Sequence, residues 1–406
     1  MIACRACNGE RCSVVVDLGH HPLADRFLTE SMLELPETTY PLHVYWCADC
    51  GYAGLVHASS ATERYVDQPY SYTASNSATS DGHFVDLAQE IANKSLSRHG
   101  PSAVVVDIGG NDGTLLKHIK GFRECSVLNI DASPNMCKLS EARGVPAWQG
   151  LFDFGIADQV ARKLNYAEVV VCTNVLNHAS DPLAFLRAAI MMLHPDGEIW
   201  IEVPSLTELI RRGAWDTIYA EHVSYFDAYM LCSMLEEAGA GAIQCETIDY
   251  MSGSLRVRAG KNLPFVYHVR APLEDIRPSL ADVQRIQVQA NADRLVINAM
   301  IHQARESDGF RGIAAIGAAA KGNTILNFCK LDWRSIRCVA DASPHKIGKF
   351  TPGSHIPIVD DQYVADGCFD EPSEGFSHGI VLPRNISGPL RDKFKKRDLS
   401  WIDWRL

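Results

Sequence analysis

Runs of β-branched and other apolar residues recur through the middle of the chain and alternate with stretches of helical periodicity. Residues 103–116, AVVVDIGGNDGTLL, begin as a buried strand, turn through glycines and resume as an apolar helix. SVLNIDAS, AEVVVCTNVLNHASDP and GEIWIEVPS supply further strands, and PLAFLRAAIMMLH supplies a helix between the last two. Because strands and helices alternate, the pattern predicts an α/β fold with a parallel sheet.

A second series of the same kind follows a long helical stretch. From about residue 270 the chain turns helical, and it then reads RGIAAIGAAAKGNTILNF, again a strand, a glycine turn and a helix. IRCVADASP repeats the pattern by ending a strand at Asp341. The sequence therefore predicts a second Rossmann-like domain towards the carboxyl terminus.

Length and charge narrow the class of protein. The 406 residues are enough for several cores, and we predict domains at 1–68, 69–256 and 257–406. The formal net charge of −11 disfavours nucleic acid as a partner, and no stretch approaches the ~20 apolar residues of a membrane span. We expect a cytoplasmic monomer that binds neither nucleic acid nor membrane.

Four of the thirteen cysteines form two pairs of identical spacing near the amino terminus, Cys4 with Cys7 and Cys47 with Cys50. Four thiolates in this arrangement are typical of tetrahedral Zn²⁺, which stabilises a short segment that lacks a large core. With four cysteine ligands no coordination position is left for water or substrate, so the zinc is predicted to be structural. A zinc ribbon for nucleic acid is disfavoured because acids outnumber bases between the pairs.

The glycine turn after the first strand of the middle domain reads D-x-G-x-N-x-G. Its candidate cofactor-binding residues are Asp107, Gly109, Asn111 and Gly113, and Asp131 ends the next strand, placed to accept hydrogen bonds from ribose hydroxyls. A dinucleotide would bring pyrophosphate against acids at the helix amino terminus. S-adenosylmethionine (SAM) brings a sulfonium and an ammonium instead, so it is favoured over NAD.

Several motifs together resemble the deoxysugar C-methyltransferase family. They are the paired C-x-x-C knuckles, PYSYTASNS, DIGGNDGTLL, NHASDP, IYAEHVSYF, GSLRV and GAAAKGNTILN with HKIGKFTPGSHIPI. The resemblance runs nearly end to end and implies a zinc-binding module, a class I methyltransferase domain and a carboxy-terminal domain. It implies that a nucleotide-linked sugar is the substrate and SAM the methyl donor.

The resemblance also implies roles for particular residues. His222 would be the catalytic base, and the residues lining the sugar pocket would be Tyr219, Glu221, His178 and Tyr72. For nucleotide-sugar binding the candidates are Arg256, Lys321 and Asn323. The turn at Lys321 has no preceding acid and suits an anionic group such as a diphosphate, although a decayed duplicate kept for packing remains the alternative.

Carbon methylation needs a carbanion equivalent, which a neighbouring carbonyl can stabilise as an enolate. A 4-keto-deoxysugar, with dTDP as the expected nucleotide, meets this condition at C3 and C5, and C3 is the expected position. A histidine can remove the α-proton, and Tyr or imidazole donors can hold the enolate oxygen. From the residues alone an O- or N-methyltransferase stays open. An NAD-dependent oxidoreductase is disfavoured by the acids at the glycine loop, and a noncatalytic zinc scaffold is disfavoured by the cluster from Tyr219 to His222.

Overall fold

The computed structural model describes residues 2–67, 70–76, 78–261, 277–366, 375–395 and 399–404. The chain divides into two compact units, and neither is continuous in sequence. The first comprises Met1–Val14, Val44–Arg212 and His222–Ala281, and the second comprises Val15–His43, Gly213–Glu221 and Asp282–Leu406. This division does not test the three domain boundaries expected from the sequence, which stay predictions.

A seven-stranded sheet forms the centre of the first unit. Its strands are β4 (Val104–Ile108), β5 (Ser126–Asp131), β6 (Ala147–Gln149), β7 (Ala167–Thr173), β8 (Leu193–Pro204), β10 (Ala240–Ile248) and β11 (Ser254–Lys261). The spatial order is β10-β11-β8-β7-β4-β5-β6, so β4, the first strand of this sheet in sequence, lies inside the sheet between β7 and β5. The order reverses between β4 and β7, and ligands of such sheets bind at this switch point, outside the carboxyl ends of the strands.

The central strands are apolar on both faces because helices cover both sides of the sheet. Val105 and Val106 of β4 are fully buried, as are Val170 and Val171 of β7. Continuous burial of this kind explains why the strands read as unbroken β-branched runs in the sequence.

One strand departs from the parallel sheet expected from the sequence. β11 is antiparallel to both β8 and β10, whereas β4 to β8 are parallel. The connection from β10 to β11 is residues 249–253, too short for a crossover helix, so the chain can only turn back on itself. Met251, Ser252 and Gly253 take the positive φ angles that this tight reversal requires.

Eight helices are described in the first unit. They are α1 (Ala61–Tyr65), α2 (Ala78–Lys94), α3 (Thr114–Phe122), α4 (Pro134–Ala142), α5 (Phe154–Leu164), α6 (Pro182–Met191), α7 (Leu206–Arg212) and α8 (Ala228–Glu237). Three of them begin at an aspartate whose carboxylate accepts a backbone N–H of the first turn: Asp153 for α5, Asp181 for α6 and Asp227 for α8.

A smaller sheet has the order β1-β2-β3-β9. Its strands are β1 (Cys12–His21), β2 (Tyr40–Cys47), β3 (Ala53–Leu55) and β9 (Ser224–Tyr225). β3 pairs antiparallel with β9, so a strand of the cysteine-rich segment pairs with a strand from the IYAEHVSYF motif.

The second unit is built on a five-stranded sheet of order β14-β13-β12-β15-β16, and all of its pairings are parallel. The strands are β12 (Ile313–Ile316), β13 (Cys338–Asp341), β14 (Ile358–Asp360), β15 (His378–Val381) and β16 (Ser400–Trp401). The helices are α9 (Leu280–Arg305), α10 (Ala320–Cys329), α11 (Asp361–Asp366) and α12 (Ser387–Lys393). The predicted second Rossmann-like unit is therefore present.

The segment Gly213–Glu221 belongs to this second unit because a tryptophan anchors it. Trp215 is fully buried, its Nε1 donates to the Asp293 carboxylate at 2.6 Å, and its ring packs on Phe328. Among the described residues, no helix is both long enough and apolar enough to cross a membrane.

Candidate active site and zinc cluster

The sulfur atoms of Cys4, Cys7, Cys47 and Cys50 all lie within 4.8 Å of one another. The Cys4 and Cys50 sulfurs are 3.6 Å apart, and those of Cys7 and Cys47 are 3.7 Å apart. Four sulfurs at ~2.3 Å from a tetrahedral Zn²⁺ are about 3.8 Å apart, so the spacing fits zinc.

Each cysteine pair forms the same turn. Asn8 N donates to Cys4 O at 2.9 Å, and Gly51 N donates to Cys47 O at 2.8 Å; both donors have positive φ. In the first turn the backbone N–H groups of Ala6 and Gly9 also point at the sulfurs of Cys4 and Cys7. Donors aimed at sulfur favour the thiolate, and hydrogen bonding by Cys50 lowers the pKa of Cys4 to about 5.

The cysteine module holds the backbone around His222. Leu55 N of β3 donates to Val223 O at 2.9 Å, and the Tyr52 hydroxyl shares a hydrogen bond with Ser224. On its other side, Val223 N donates to Asn177 O at 2.8 Å. The residue after His222 is therefore fixed both by the metal-binding segment and by the end of the central sheet.

The glycine loop lies at the carboxyl end of β4, as predicted. Gly109 and Gly113 have positive φ, and a Cβ on Gly110 would lie 2.7 Å from both the Asn129 and the Asp107 side chains. Glycine is required at these positions because the loop packs closely on its neighbours. Asn111 N donates to the Asp131 carboxylate at 2.9 Å, which connects the loop to the end of β5.

Two buried carboxyl groups face this loop. Burial raises the pKa of Asp131 to about 6 and raises that of Asp107 well above its ordinary value, and the negative charge of Asp131 adds to the second shift. Asp107 Oδ1 and Asn129 Oδ1 have no hydrogen-bond partner among the described residues. Unpaired acceptors beside two acids suit a cationic ligand that carries hydrogen-bond donors, as SAM does.

The third acid of the loop, Asp112, is occupied by the protein. Its carboxylate accepts from Ser75 and Thr114 at 2.7 Å and pairs with Arg143 at 3.1 Å. Asp112 is fully buried and neutralised by this arginine, so it serves the loop's structure.

The segment from Tyr70 to Ser75 is fastened over the loop by two asparagines. Asn111 donates from Nδ2 to Tyr72 O and accepts from Ala74 N, and Asn135 does the same with both backbone groups of Tyr70. The Asn111 side chain, predicted to contact the cofactor, therefore holds the backbone that carries Tyr72.

His178 and His222 are brought together. Their rings pack edge to face with centroids 5.0 Å apart, although 44 positions separate them in the chain. His178 ends the 3-10 helix Leu176–His178 that follows β7, and its backbone oxygen accepts from Arg64. His222 is 6% exposed, so a solvent-shielded imidazole lies at the carboxyl edge of the sheet where ligands bind.

The other two predicted pocket residues belong to the second unit. Glu221 is buried, and its Oε1 accepts from Asp25 N at 3.1 Å. Tyr219 is half-buried. Their roles as pocket residue and as orienter of the base stay predictions.

Arg256, predicted to bind substrate, takes part in a buried ion network. Its guanidinium lies 2.6 Å from Glu202 and 2.6 Å from Glu90. Glu202 also accepts from His83 at 2.7 Å, and the His83 ring stacks on Tyr250 at 3.6 Å. The contacts of Glu202, His83 and Tyr250 were not predicted from the sequence, because no local motif connects these residues.

The second unit repeats the hydrogen bonds of the first glycine loop. Ala318 N and Ser343 N donate to Asp341 at 2.7 and 2.8 Å, as Asn111 N and Ser133 N do to Asp131. Lys346 fills part of this second loop, since its Nζ donates to Ala318 O at 2.7 Å.

The two predicted substrate residues of this unit lie in α10. Burial lowers the pKa of Lys321, and the carboxylate of Asp216 opposes this shift. Asn323 is buried, and its Nδ2 donates to Ala24 O at 2.6 Å. Its Oδ1 has no partner among the described residues. Arg384 also contributes positive charge near Lys321 and was not predicted from the sequence.

Three family models match successive parts of the chain. A zinc binding domain matches residues 4–65, a methyltransferase domain matches residues 83–244, and a C-methyltransferase C-terminal domain matches residues 278–370. The predicted class I methyltransferase fold, with its zinc module and its carboxy-terminal domain, is confirmed. SAM and a cysteine-bound zinc are confirmed as the expected cofactors.

The relatives are methyltransferases. C-methyltransferase NovU of Streptomyces niveus is 29% identical over 379 residues, which cover 87% of this chain and 84% of that protein. A ubiquinone biosynthesis O-methyltransferase of Xanthomonas campestris pv. campestris is 27% identical over 110 residues, 26% of this chain and 45% of that protein. A structure of magnesium protoporphyrin IX methyltransferase from Synechocystis PCC 6803 with bound SAH aligns with 45% of this chain and 85% of its own at 12% identity, with a TM-score of 0.35.

Proposed function

Since this chain belongs to the SAM-dependent C-methyltransferases, we propose that it methylates a carbon of a nucleotide-linked 4-keto-deoxysugar. The observation that carries the proposal is the contact between the rings of His178 and His222, of which His222 is buried and His178 lies in the 3-10 helix that follows β7. A keto-sugar provides the acidic C–H that such a base can act on, and an enolate oxygen that neighbouring donors can hold. C3 is the expected position and dTDP the expected nucleotide.

The first glycine loop binds the methyl donor. Asp131 accepts from the ribose hydroxyls, and the unpaired oxygens of Asp107 and Asn129 accept from donors of the same ligand. Asn111 and Asn135 hold residues 70–75, which carry Tyr72, over this loop. When bound, SAM supplies an electrophilic methyl group on sulfur.

His222 acts as the base. Its imidazole removes the proton from the carbon next to the keto group, and the electron pair of that C–H bond moves into the carbonyl to give the enolate. With SAM bound, the α-carbon would form a bond to the methyl carbon as the methyl–sulfur bond breaks, which would leave S-adenosylhomocysteine and restore the carbonyl. His178, Tyr219 and Tyr72 are the candidate donors to the enolate oxygen, and Glu221 orients the base.

Lys321 and Asn323 are the candidate residues for the nucleotide end of the substrate. Lys321 lies in the first turn of α10, whose amino terminus favours an anion, and a diphosphate would lower the cost of keeping this lysine charged. Asn323 contributes the unpaired Oδ1 to the same ligand. Arg256 is a further candidate for nucleotide-sugar contact.

The test is to incubate the protein with SAM and a panel of nucleotide 4-keto-sugars and to identify products by mass and NMR. The proposal predicts a new methyl group on a sugar carbon, seen as a C–CH₃ signal coupled to ring carbons. A methyl group on oxygen or nitrogen would contradict it, and so would no product from any panel member in the presence of SAM.

A further inference from the structure

Asn177 is a buried side-chain amide whose polar atoms have no partner in the described part of the chain. The residue is 1% exposed, and neither its Oδ1 nor its Nδ2 makes a hydrogen bond there. Buried amides normally find partners, because an unpaired donor or acceptor destabilises the native state. A ligand with one acceptor and one donor would satisfy this side chain.

Two other side-chain amides, the buried Asn129 and the half-buried Asn327, form hydrogen bonds of the kind that Asn177 lacks. Asn327 donates from Nδ2 to Asn323 O at 2.8 Å and to Pro352 O at 3.0 Å, and Asn129 donates to Asn111 O at 2.8 Å. These amides contribute to folding through their bonds. Asn177 contributes none through its side chain, which points to a role with a bound molecule.

The position of Asn177 indicates which part of a ligand it would meet. It lies in the 3-10 helix Leu176–His178 directly after β7. Two residues earlier, Val175 packs against the glycine loop so closely that a Cβ on Gly109 would lie 2.4 Å from its side chain. The Asn177 backbone oxygen accepts from Val223, next to His222. Asn177 therefore lies between the methyl-donor loop and the base, where the reacting carbon and its neighbouring oxygen belong.

We propose that Asn177 binds the reacting end of the keto-sugar: its Nδ2 donates to the developing enolate oxygen, and its Oδ1 accepts from a hydroxyl of the same ligand. This inference rests on the function proposed above. An amide N–H₂ suits the role because it donates at every pH and carries no charge. By contrast, the imidazoles beside it change protonation during the reaction.

Two substitutions separate hydrogen bonding from packing. Asn177→Leu keeps the branching and the number of heavy atoms and removes both polar atoms, whereas Asn177→Asp keeps the shape and replaces the donor with a carboxylate. Asn327→Leu is the stability control, since it removes an amide whose hydrogen bonds are made. The readouts are the Tm without ligands, the Kd for S-adenosylhomocysteine, and the rate at which the α-proton of a 4-keto-sugar exchanges in D₂O.

We expect Asn177→Leu to leave the ligand-free Tm unchanged or raised, whereas Asn327→Leu lowers it. The Kd for S-adenosylhomocysteine should stay within about 3-fold of wild type, while exchange and methylation fall together by ~10²-fold or more, the usual effect of removing one oxyanion donor. Asn177→Asp should be slower still, because a carboxylate repels the enolate oxygen.

Three results would overturn the inference. They are exchange by Asn177→Leu at the wild-type rate, a loss of S-adenosylhomocysteine affinity as large as the loss of rate, and a fall in Tm matching that of Asn327→Leu. A wild-type protein that exchanges no α-proton of any panel member would overturn the proposed function itself, and this inference with it. The wild-type measurement thus distinguishes the two failures.

Discussion

Replacing Asp131 with asparagine should make the protein more stable and its cofactor binding weaker. Burial raises the pKa of this carboxyl group from 3.8 to about 6, so its ionised form is disfavoured in the native state. A rise of this size corresponds to about 3 kcal/mol of lost stability once the group is ionised in both states. We infer that the charge is retained for the ligand.

The sign of the pH dependence follows from the same shift. Between about pH 4 and 6 the native state binds more protons than the unfolded state, so wild-type stability falls as pH rises and the loss is complete above about pH 7. About half of the loss is already present at pH 5. Asparagine at position 131 avoids this loss of stability because it cannot ionise. It also leaves one of the two backbone N–H groups, of Asn111 and Ser133, without an acceptor, which lowers stability by about 1 kcal/mol.

Asp131→Asn should therefore exceed wild type by about 2 kcal/mol at pH 8 and by about 0.5 kcal/mol at pH 5. Urea unfolding of both proteins at the two pH values measures the difference. Asp158→Asn, which removes only a surface ion pair with Arg162 in α5, is the control with an expected effect below about 0.5 kcal/mol. Calorimetric titration at pH 8 should show SAM binding weakened by about 1–3 kcal/mol. A variant less stable than wild type at pH 8, by an amount that does not change at pH 5, would refute the reasoning.

Other changes test the zinc cluster, the glycine loop and the segment from Tyr70 to Ser75 that carries Tyr72. We expect metal analysis to find one zinc per chain. Cys50→Ser should lower the zinc content below half an equivalent and lower the Tm, whereas Cys12→Ser, outside the cluster, should keep the metal. Full metal content in Cys50→Ser would disprove the assignment. Arg143→Met leaves the buried Asp112 carboxylate without its charged partner and should lower the free energy of unfolding in urea by about 2–4 kcal/mol. The exposed Arg162→Met should lower it by less than about 0.5 kcal/mol. Equal effects would show that the ion pair of Asp112 does not stabilise the protein. Tyr72→Phe removes one candidate donor and leaves the base, so methylation should fall less than in His222→Asn; a larger fall would make Tyr72 the principal catalytic group.

Features encoded by neighbouring residues could be predicted from the sequence. The cysteine pairs, the glycine loop and Asp131 after the second strand each depend on a spacing of a few residues or on one βα unit, and the structure places them as expected. The pairing of His178 with His222 depends on contacts across 44 residues. Only the family resemblance, not the spacing, indicated that they share a site.

Features set by distant packing could not be predicted. Whether Asp112 faces a ligand or Arg143 depends on where α4 packs. Whether Arg256 faces a ligand or Glu202 depends on the pairing of two neighbouring strands. The direction of β11 depends on the five-residue connection 249–253, in which Gly253 is the only strong turn signal. A buried unpaired amide such as Asn177 has no sequence signature, because any polar residue at a strand end could find a partner.

The central claim is that His222 removes a proton from the carbon next to the keto group to give an enolate, and hydrogen exchange at that carbon tests it most directly. Wild type and His222→Asn are each incubated in D₂O with S-adenosylhomocysteine and the 4-keto-sugar that wild type methylates, and the α-protons are followed by NMR. The account predicts that wild type exchanges one α-proton faster than buffer does. His222→Asn should bind both ligands and yet lose exchange and methylation together by ~10²-fold or more. Exchange that persists in His222→Asn but disappears in His178→Asn would contradict the account, because it would make His178 the base.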